Sequence, residues 1–552
     1  MRDPHGQATS QDSKLSDQNR SKKLKRIKQV SKPVTRREFL NLIAATSGTA
    51  AVLGITSALG MIPSSAAASV PDLLKLSSQK KKAVILGAGI SGLTVAYELT
   101  KAGYDCTVLE ASHRAGGRVF TVRAGTLIDE IGNPQYCEWD DEPHMYFNAG
   151  AARIPSTHSN VLHYCKELGV ELEMFINENK AAWVQDDNVL GGKPIRNREL
   201  TTNIRGFMAE LMGKAMKDGD LDQPFSDDEA AIVINMIRSF GDLNSDLKYT
   251  GSDRAGYASG DYVTHTTQHE MIKIRDLLKS NAMRQVISDN EGETGPMLMQ
   301  AVGGNDNIPY GFVHKIEDKI KFRAMVTAIE LNDKGVTVEY DYDGQRQSID
   351  ADYCFNSIPS HFMPGIKHNL PAQYAEDMKY IRRGVAMKGA FQAKERFWEK
   401  EGIYGGITWT NQDIRQIWYP AHGIHKQKGV ILAAYDYGNG MPYTRMTQEE
   451  RIELMISQGE KVHPDYRQHV EKGITIAWHR MNHMLGCSAR WRVETPEEER
   501  IFANLQAPVE GKYWCIGDQI SHHTAWMESA MQSAHFALAE LDRRVRAEVA
   551  NA

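Results

Sequence analysis

Between Ala83 and Glu110 the sequence sets a strand, a glycine turn, a helix and an acid at spacings that few folds accommodate. Ala83-Val84-Ile85-Leu86 reads as a buried strand that runs into Gly87-Ala88-Gly89-Ile90-Ser91-Gly92 and then into the helical pattern Leu93 to Leu99. In such a turn Gly87 permits the tight bend, Gly89 lets the backbone approach a pyrophosphate and Gly92 lets the helix pack close to the strand. A second strand, Cys106 to Leu109, ends at Glu110, about twenty residues on, where a carboxylate can accept ribose hydroxyls. A G-x-G-x-x-G alone is a weak signal, because glycines also cluster in ordinary loops. Here the strand, helix and acid accompany it, and a dinucleotide site is the reading.

The continuation Glu110-Ala111 and Ala115-Gly116-Gly117-Arg118 resembles the E-x5-G-G-R run of FAD-binding proteins related to glutathione reductase, with Arg118 facing the pyrophosphate. Gln300 to Asp306, Met325 to Ile329, Gly517-Asp518 and Ala525 to Ala530 resemble stations of the flavin-containing amine oxidase family, so the resemblance spans about residues 80 to 545. Asn148-Ala149-Gly150-Ala151-Ala152-Arg153-Ile154-Pro155 narrows it to the L-amino-acid oxidases, whose arginine in this loop binds the substrate carboxylate. Phe397-Trp398, Gly402 to Gly406 and Ile417-Trp418-Tyr419-Pro420 look like the substrate domain of those enzymes.

What the resemblance implies is specific. The fold is α/β (α+β): a Rossmann-like FAD-binding domain of glutathione-reductase type, a discontinuous α+β substrate domain and a helical insertion. Cofactor contacts fall to Gly87, Gly89, Gly92, Glu110, Ala111, Gly117, Arg118, Gly150, Ala151, Ala152, Arg153, Val326, Asp518, Trp526 and Met527. Met527 offers its N–H and a helix dipole to the flavin pyrimidine carbonyl. Arg153 holds the substrate carboxylate with Tyr419 in support, Trp418 being the second choice for that hydroxyl's place. Trp478, Ala525 and Trp526 flank the substrate, and Lys388 is the catalytic residue that holds a water near flavin N5. Each has a plainer alternative: a surface ion pair for Arg153, solvent for Lys388, core packing for the tryptophans.

The expected domains are 80–135, 291–380 and 484–545 for FAD, 136–190 and 381–483 for substrate, and 191–290 for the insertion. Residues 156 to 290 read as amphipathic helices, with Ile204, Phe207, Met208, Leu211 and Met212 forming an apolar stripe of the kind that packs into a core. The acidic loop with Glu138, Asp140, Asp141 and Glu142 reads as a solvated loop, a bias of the entrance toward basic substrates being the alternative. His522 and His523 put titratable groups near the flavin. Cys487 resembles a position that carries covalent FAD in monoamine oxidases, although a small buried residue is the plainer reading.

The N-terminus carries a different message. Thr35-Arg36-Arg37-Glu38-Phe39-Leu40 looks like a twin-arginine motif, an uncharged stretch follows to Ala68, and Ala66-Ala67-Ala68 offers a cleavage site. Residues 1–68 therefore read as a signal peptide engaging the twin-arginine translocation machinery, and the protein as periplasmic or secreted. A membrane anchor is the competing reading, weakened by the Gly and Thr content. The first forty residues hold 11 basic against 4 acidic groups, so the remainder carries 54 against 66, which disfavours nucleic acid as a partner. The six cysteines lack metal-ligand spacing, and no metal is expected. The other expected partners are an L-amino acid, O2 and a second copy of the chain.

Together these readings predict oxidative deamination of an L-amino acid by FAD and O2, to a 2-oxo acid, ammonia and hydrogen peroxide. The alternatives are a decarboxylating amino-acid 2-monooxygenase, an amine or polyamine oxidase, and a non-catalytic flavin-binding protein.

Overall fold

The computed structural model describes residues 69–76, 81–218, 225–280, 294–438, 441–490 and 493–551. The twin-arginine motif and its cleavage site lie outside the described residues.

Strand β1 (Lys82–Leu86) leads through the glycine turn into α1 (Ile90–Lys101), and β2 (Asp105–Glu110) returns beside β1. They belong to a five-stranded parallel sheet in the order Ile320–Phe322, β2, β1, Tyr353–Asn356, Tyr513–Cys515. Apart from the half-buried edge strand Ile320–Phe322, the strands are short, largely apolar runs buried on both faces, as parallel sheets require. The sheet draws strands from three distant stretches of chain, so the nucleotide-binding layer is discontinuous in sequence. Gly92 explains the tightness of the first crossover: a Cβ there would meet the Gly87 carbonyl oxygen at 2.1 Å.

A second, seven-stranded sheet runs in the order Ile195–Arg196, Trp183–Gln185, Gly406–Thr410, Gln416–Tyr419, Gly429–Tyr437, Ala386–Ala393, Val470–Ala477. All its pairings are antiparallel except that of Gly406–Thr410 with Trp183–Gln185. Ala386 to Ala393 is buried along its whole length. The sheet draws its strands from residues 183–196 and 386–477 and so reaches Arg196, six residues into the stretch expected as the insertion.

The stretch 156–290 is not helical throughout. Leu172–Phe175, Trp183–Gln185 and Ile195–Arg196 are strands, and Tyr257–Ser259 pairs with Thr267–Gln268 as a hairpin. These strands are two to four residues long, too short for an alternation to register in sequence. Helices α2 (Asn197–Asp218) and α3 (Asp227–Gly241) do form an antiparallel pair, α3 opening with a capping box between Ser226 and Glu229. The expected core stripe divides: Ile204 is buried and Phe207 half-buried, whereas Met208, Leu211 and Met212 are exposed.

The final helix, α4 (Met527–Asn551), packs on α1 through Met531, Ala534 and Leu538, and its first turn starts beside the turn that opens α1. No helix among the described residues is long and apolar enough to cross a membrane.

Candidate functional site

A cavity of about 570 Å³ lies between the two sheets. At one end are the edge of the parallel sheet at Glu110 and Ala111, with Val326 beside them; at the other are Lys388, Trp418, Tyr435, Trp478 and Trp526.

The glycine turn is shaped to receive a bulky anion. A Cβ on Gly89 would meet no atom within 4 Å, so the backbone faces open space. Gly89 is also the N-cap of α1 and makes no side-chain cap, which leaves the N–H groups of the first turn free for a phosphate. Glu110 accepts from the Ala88 and Ser112 amides at 2.7 and 2.8 Å, fixing its carboxylate at the cavity edge. Arg118 forms a two-point ion pair with Asp518, which also accepts from the Ala525 amide at 2.8 Å. The guanidinium and that amide hold the Asp518 carboxyl below the usual carboxylate range against the opposing effect of burial. Arg383 donates to Gln519 Oε1 at 2.6 Å, and burial together with Arg118 lowers its pKa to about 10. With Arg153, the lining sets three guanidinium groups against two carboxylates, and Lys388 adds a titratable amine. An elongated, anionic dinucleotide fits that charge balance and the open turn.

Of the residues expected to touch the cofactor, all but Gly92 line this cavity. Gly92 serves the close packing of α1 on β1. Met527 stands at the first turn of α4 with Trp526 immediately before it. Cys487, the one half-buried cysteine of six unpaired ones, lines the cavity too, and burial raises its thiol pKa.

At the far end, Lys388 points inward from the Ala386–Ala393 strand and donates to the backbone oxygens of Gly150 at 2.8 Å and Asn148 at 3.1 Å. Its Nζ lies 4.7 Å from the Tyr435 ring centroid and 5.3 Å from that of Trp418. Burial first and the nearby Arg153 second lower its pKa to about 7. Arg153 stacks over Trp418 at 5.0 Å and donates to Asn177 Oδ1 at 2.9 Å. Among the described residues no carboxylate pairs with it. Trp478 donates to the Ala149 carbonyl at 3.1 Å, and Trp526 stands edge-on to His158 with centroids 5.0 Å apart.

Two expectations need correction. The Tyr419 phenol does not reach the main cavity: it bonds to Thr408 Oγ1 at 2.8 Å and His463 Nε2 at 2.7 Å inside the core on the other face of the sheet. Successive strand residues face opposite ways, so Trp418 is the member of the pair that meets Arg153. His522 and His523 are both outside the lining, His522 lying against Phe502. The acidic loop does not line the cavity, in agreement with its reading as a solvated loop, and Asp140 pairs with Lys428 and Lys472. The described residues of the helical insertion contribute nothing to the lining.

Sequence reasoning missed Tyr435, Asn177 and Arg383. Only a resolved neighbourhood identifies them, since a tyrosine in a buried strand and an asparagine in a loop carry no motif.

Comparison with known proteins agrees with this architecture. The family model described as flavin-containing amine oxidoreductase matches residues 90–540, and that of pyridine nucleotide-disulphide oxidoreductase matches residues 7–131. An L-amino-acid oxidase of Protobothrops flavoviridis is 28% identical over 499 residues, covering 85% of this chain and 90% of the relative. A flavin-dependent L-tryptophan oxidase of Lentzea aerocolonigenes is 26% identical over 494 residues, covering 83% and 97%. Among solved structures, a cyclohexylamine oxidase from Brevibacterium oxydans superposes with a TM-score of 0.56 at 16% identity, over 85% of this chain and all of the other. A putrescine oxidase variant gives 0.56 at 17% identity, over 84% and 99%. The open glycine turn, its acid and the cationic lining thus belong to a flavin-dependent oxidoreductase, and the chain is a member of the flavin-containing amine oxidoreductase family with FAD as its cofactor.

Proposed function

We propose that this protein oxidises L-amino acids, releasing a 2-oxo acid, ammonia and hydrogen peroxide. The observation that carries the reading is Arg153: a guanidinium facing the cavity, held by a neutral amide and an indole ring and, among the described residues, left without a carboxylate. A planar, permanently charged fork in that state suits a substrate carboxylate. An oxidase of simple amines gains nothing from it. The L-amino-acid and L-tryptophan oxidases among the relatives support the same reading.

In this account bound FAD supplies the two-electron acceptor that takes hydride from Cα and is reoxidised by O2. The chain's own residues supply position and exclusion of water. Arg153 fixes one end of the substrate and Trp418 fixes the plane of Arg153, which orients the Cα–H and lowers the barrier through geometry rather than affinity. Trp478, Tyr435 and Trp526 present flat apolar surface to the substrate. Lys388, predominantly neutral above pH 7, can donate and accept a proton at Nζ next to the reacting end. Product analysis tests the proposal: L-amino acids should yield equal amounts of peroxide and 2-oxo acid. A carboxamide product would indicate the decarboxylating monooxygenase, and turnover of amines alone would indicate an amine oxidase.

The leader is part of the proposal. The twin-arginine run Arg36-Arg37, ahead of an uncharged stretch, supports export of the folded, FAD-loaded protein.

A further inference from the structure

Among the described residues Lys388 is the only lysine in the lining of the FAD cavity, and no carboxylate pairs with it. Its strand is buried along its whole length. Burial withdraws the water that would solvate an ammonium and Arg153 repels one, so the pKa falls to about 7 and the amine is available in its neutral form. A neutral amine has two N–H bonds and one lone pair. Lys388 Nζ donates to the Gly150 carbonyl at 2.8 Å and to the Asn148 carbonyl at 3.1 Å, which engages both hydrogens. The lone pair is the position left for the cavity.

The two acceptors are held in place by the loop's own bonding. Gly150 N–H donates to the Phe120 carbonyl at 3.0 Å and Ala151 N–H to that of Arg118 at 3.2 Å, while the Asn148 side chain accepts from Thr121 Oγ1 and the Asn305 amide at 2.8 and 2.9 Å. The amine is therefore fixed in aim. The same loop ends in Arg153, whose guanidinium lies 5.0 Å from the centroid of the Trp418 ring that Lys388 Nζ approaches at 5.3 Å. Guanidinium and amine share one indole as neighbour. A 2-oxo acid held at Arg153 by its carboxylate carries its carbonyl carbon on the adjoining atom, where the Cα of an amino acid would stand. Desolvated lysines beside a carbonyl are the nucleophiles of Schiff-base chemistry.

We propose that Lys388 binds 2-oxo acids covalently, as a Schiff base through Nζ. The inference rests on the reading of Arg153 as the carboxylate clamp and concerns the product of that same site. The Nζ lone pair attacks C2 of the oxo acid, a C–N bond forms, and the carbonyl oxygen leaves as water with the two hydrogens of the amine. One amine and one ketone give one imine and one water, with no oxidant or reductant. Protonated from solvent, the imine regains one N–H for a loop carbonyl, and its charge faces the carboxylate that Arg153 holds. Water reverses the step, or the amine of an incoming substrate displaces Lys388 by transimination. The 2-oxo acid that accumulates during turnover thereby occupies the site and slows entry of the next amino acid.

Reductive trapping tests it. The FAD-loaded protein is incubated with pyruvate and sodium cyanoborohydride, digested, and its peptides mapped by mass spectrometry. Lys388 should carry N-(1-carboxyethyl)lysine at roughly ten times the level on the exposed Lys400. Arg153→Ala should lower the label on Lys388 about tenfold and leave that on Lys400 unchanged. Acetone, a ketone without a carboxylate, should label Lys388 no more than Lys400. Pyruvate label confined to surface lysines overturns the proposal, even in a protein that oxidises L-amino acids, and equal labelling of Lys388 by acetone overturns its carboxylate-directed form. Selective pyruvate label on Lys388 in a protein that oxidises no amino acid would fault the proposed reaction and uphold the Schiff base.

Discussion

Arg153 stacks on the Trp418 indole with its guanidinium 5.0 Å from the ring centroid, while the neighbouring Tyr419 phenol is bonded to Thr408 and His463 on the opposite face of the strand. One strand thus separates a cavity-facing aromatic from a structural one. Trp418→Ala should raise KM at least tenfold and leave FAD bound. Tyr419→Phe should leave KM unchanged and cost about 1–2 kcal/mol of stability through the lost buried hydrogen bonds. Steady-state kinetics and urea denaturation of the two variants check both statements; a KM effect confined to Tyr419→Phe would reverse the assignment.

Removal of the guanidinium should be more severe. Arg153→Ala is expected to lose about 10²–10³-fold in kcat/KM for an L-amino acid with normal FAD content, because two charge-assisted hydrogen bonds to the carboxylate disappear. Arg153→Lys should recover part of the loss as a point charge without the fork. Wild-type kinetics in Arg153→Ala would remove the residue from substrate binding.

Because Gly89 faces open cavity, Gly89→Val should fold yet exclude the cofactor. The purified variant is expected to be colourless, with a circular dichroism spectrum like that of the FAD-stripped wild type. A yellow, active variant would place the pyrophosphate elsewhere.

The β1–turn–α1–β2 unit was legible in the sequence because its signals are local: an apolar run, glycines at fixed spacing and an acid at strand end. Resemblance carried Arg153, Lys388 and Trp526 to the cavity, but between Trp418 and Tyr419 it chose Tyr419, the residue that faces away. Every residue from Gln416 to Tyr419 is buried, so no polar alternation marks which side faces the cavity. The stripe at Met208 and Met212 failed for the reverse reason. An apolar helix face has the same periodicity whether it meets a core or lies exposed, and only the positions of α3 and the sheets distinguish the two.

Lys388 makes stability depend on pH in a defined direction. Its pKa in the folded chain is about 7, below the ordinary 10.5, so between those values the unfolded chain binds the proton and the folded chain does not. Stability relative to Lys388→Met should therefore rise with pH across that window, by up to ~1.4 kcal/mol per pH unit. Urea denaturation of FAD-stripped wild type and variant at several pH values measures the difference; a constant difference, or one falling with pH, would mean that the lysine is charged in the folded protein. In the FAD-loaded variant, turnover should fall about 10²-fold.

For export, Arg36→Lys/Arg37→Lys should retain active, FAD-loaded protein in the cytoplasm of a twin-arginine-competent host. Export of that variant at the wild-type level would assign the N-terminus another role.

The most direct measurement is anaerobic mixing of the FAD-loaded protein with an L-amino acid and, separately, with the amine that lacks its carboxylate. The account predicts rapid bleaching of the visible flavin absorbance by the amino acid and none by the amine, with the preference lost in Arg153→Ala. Bleaching by the amine at an equal or greater rate would contradict it.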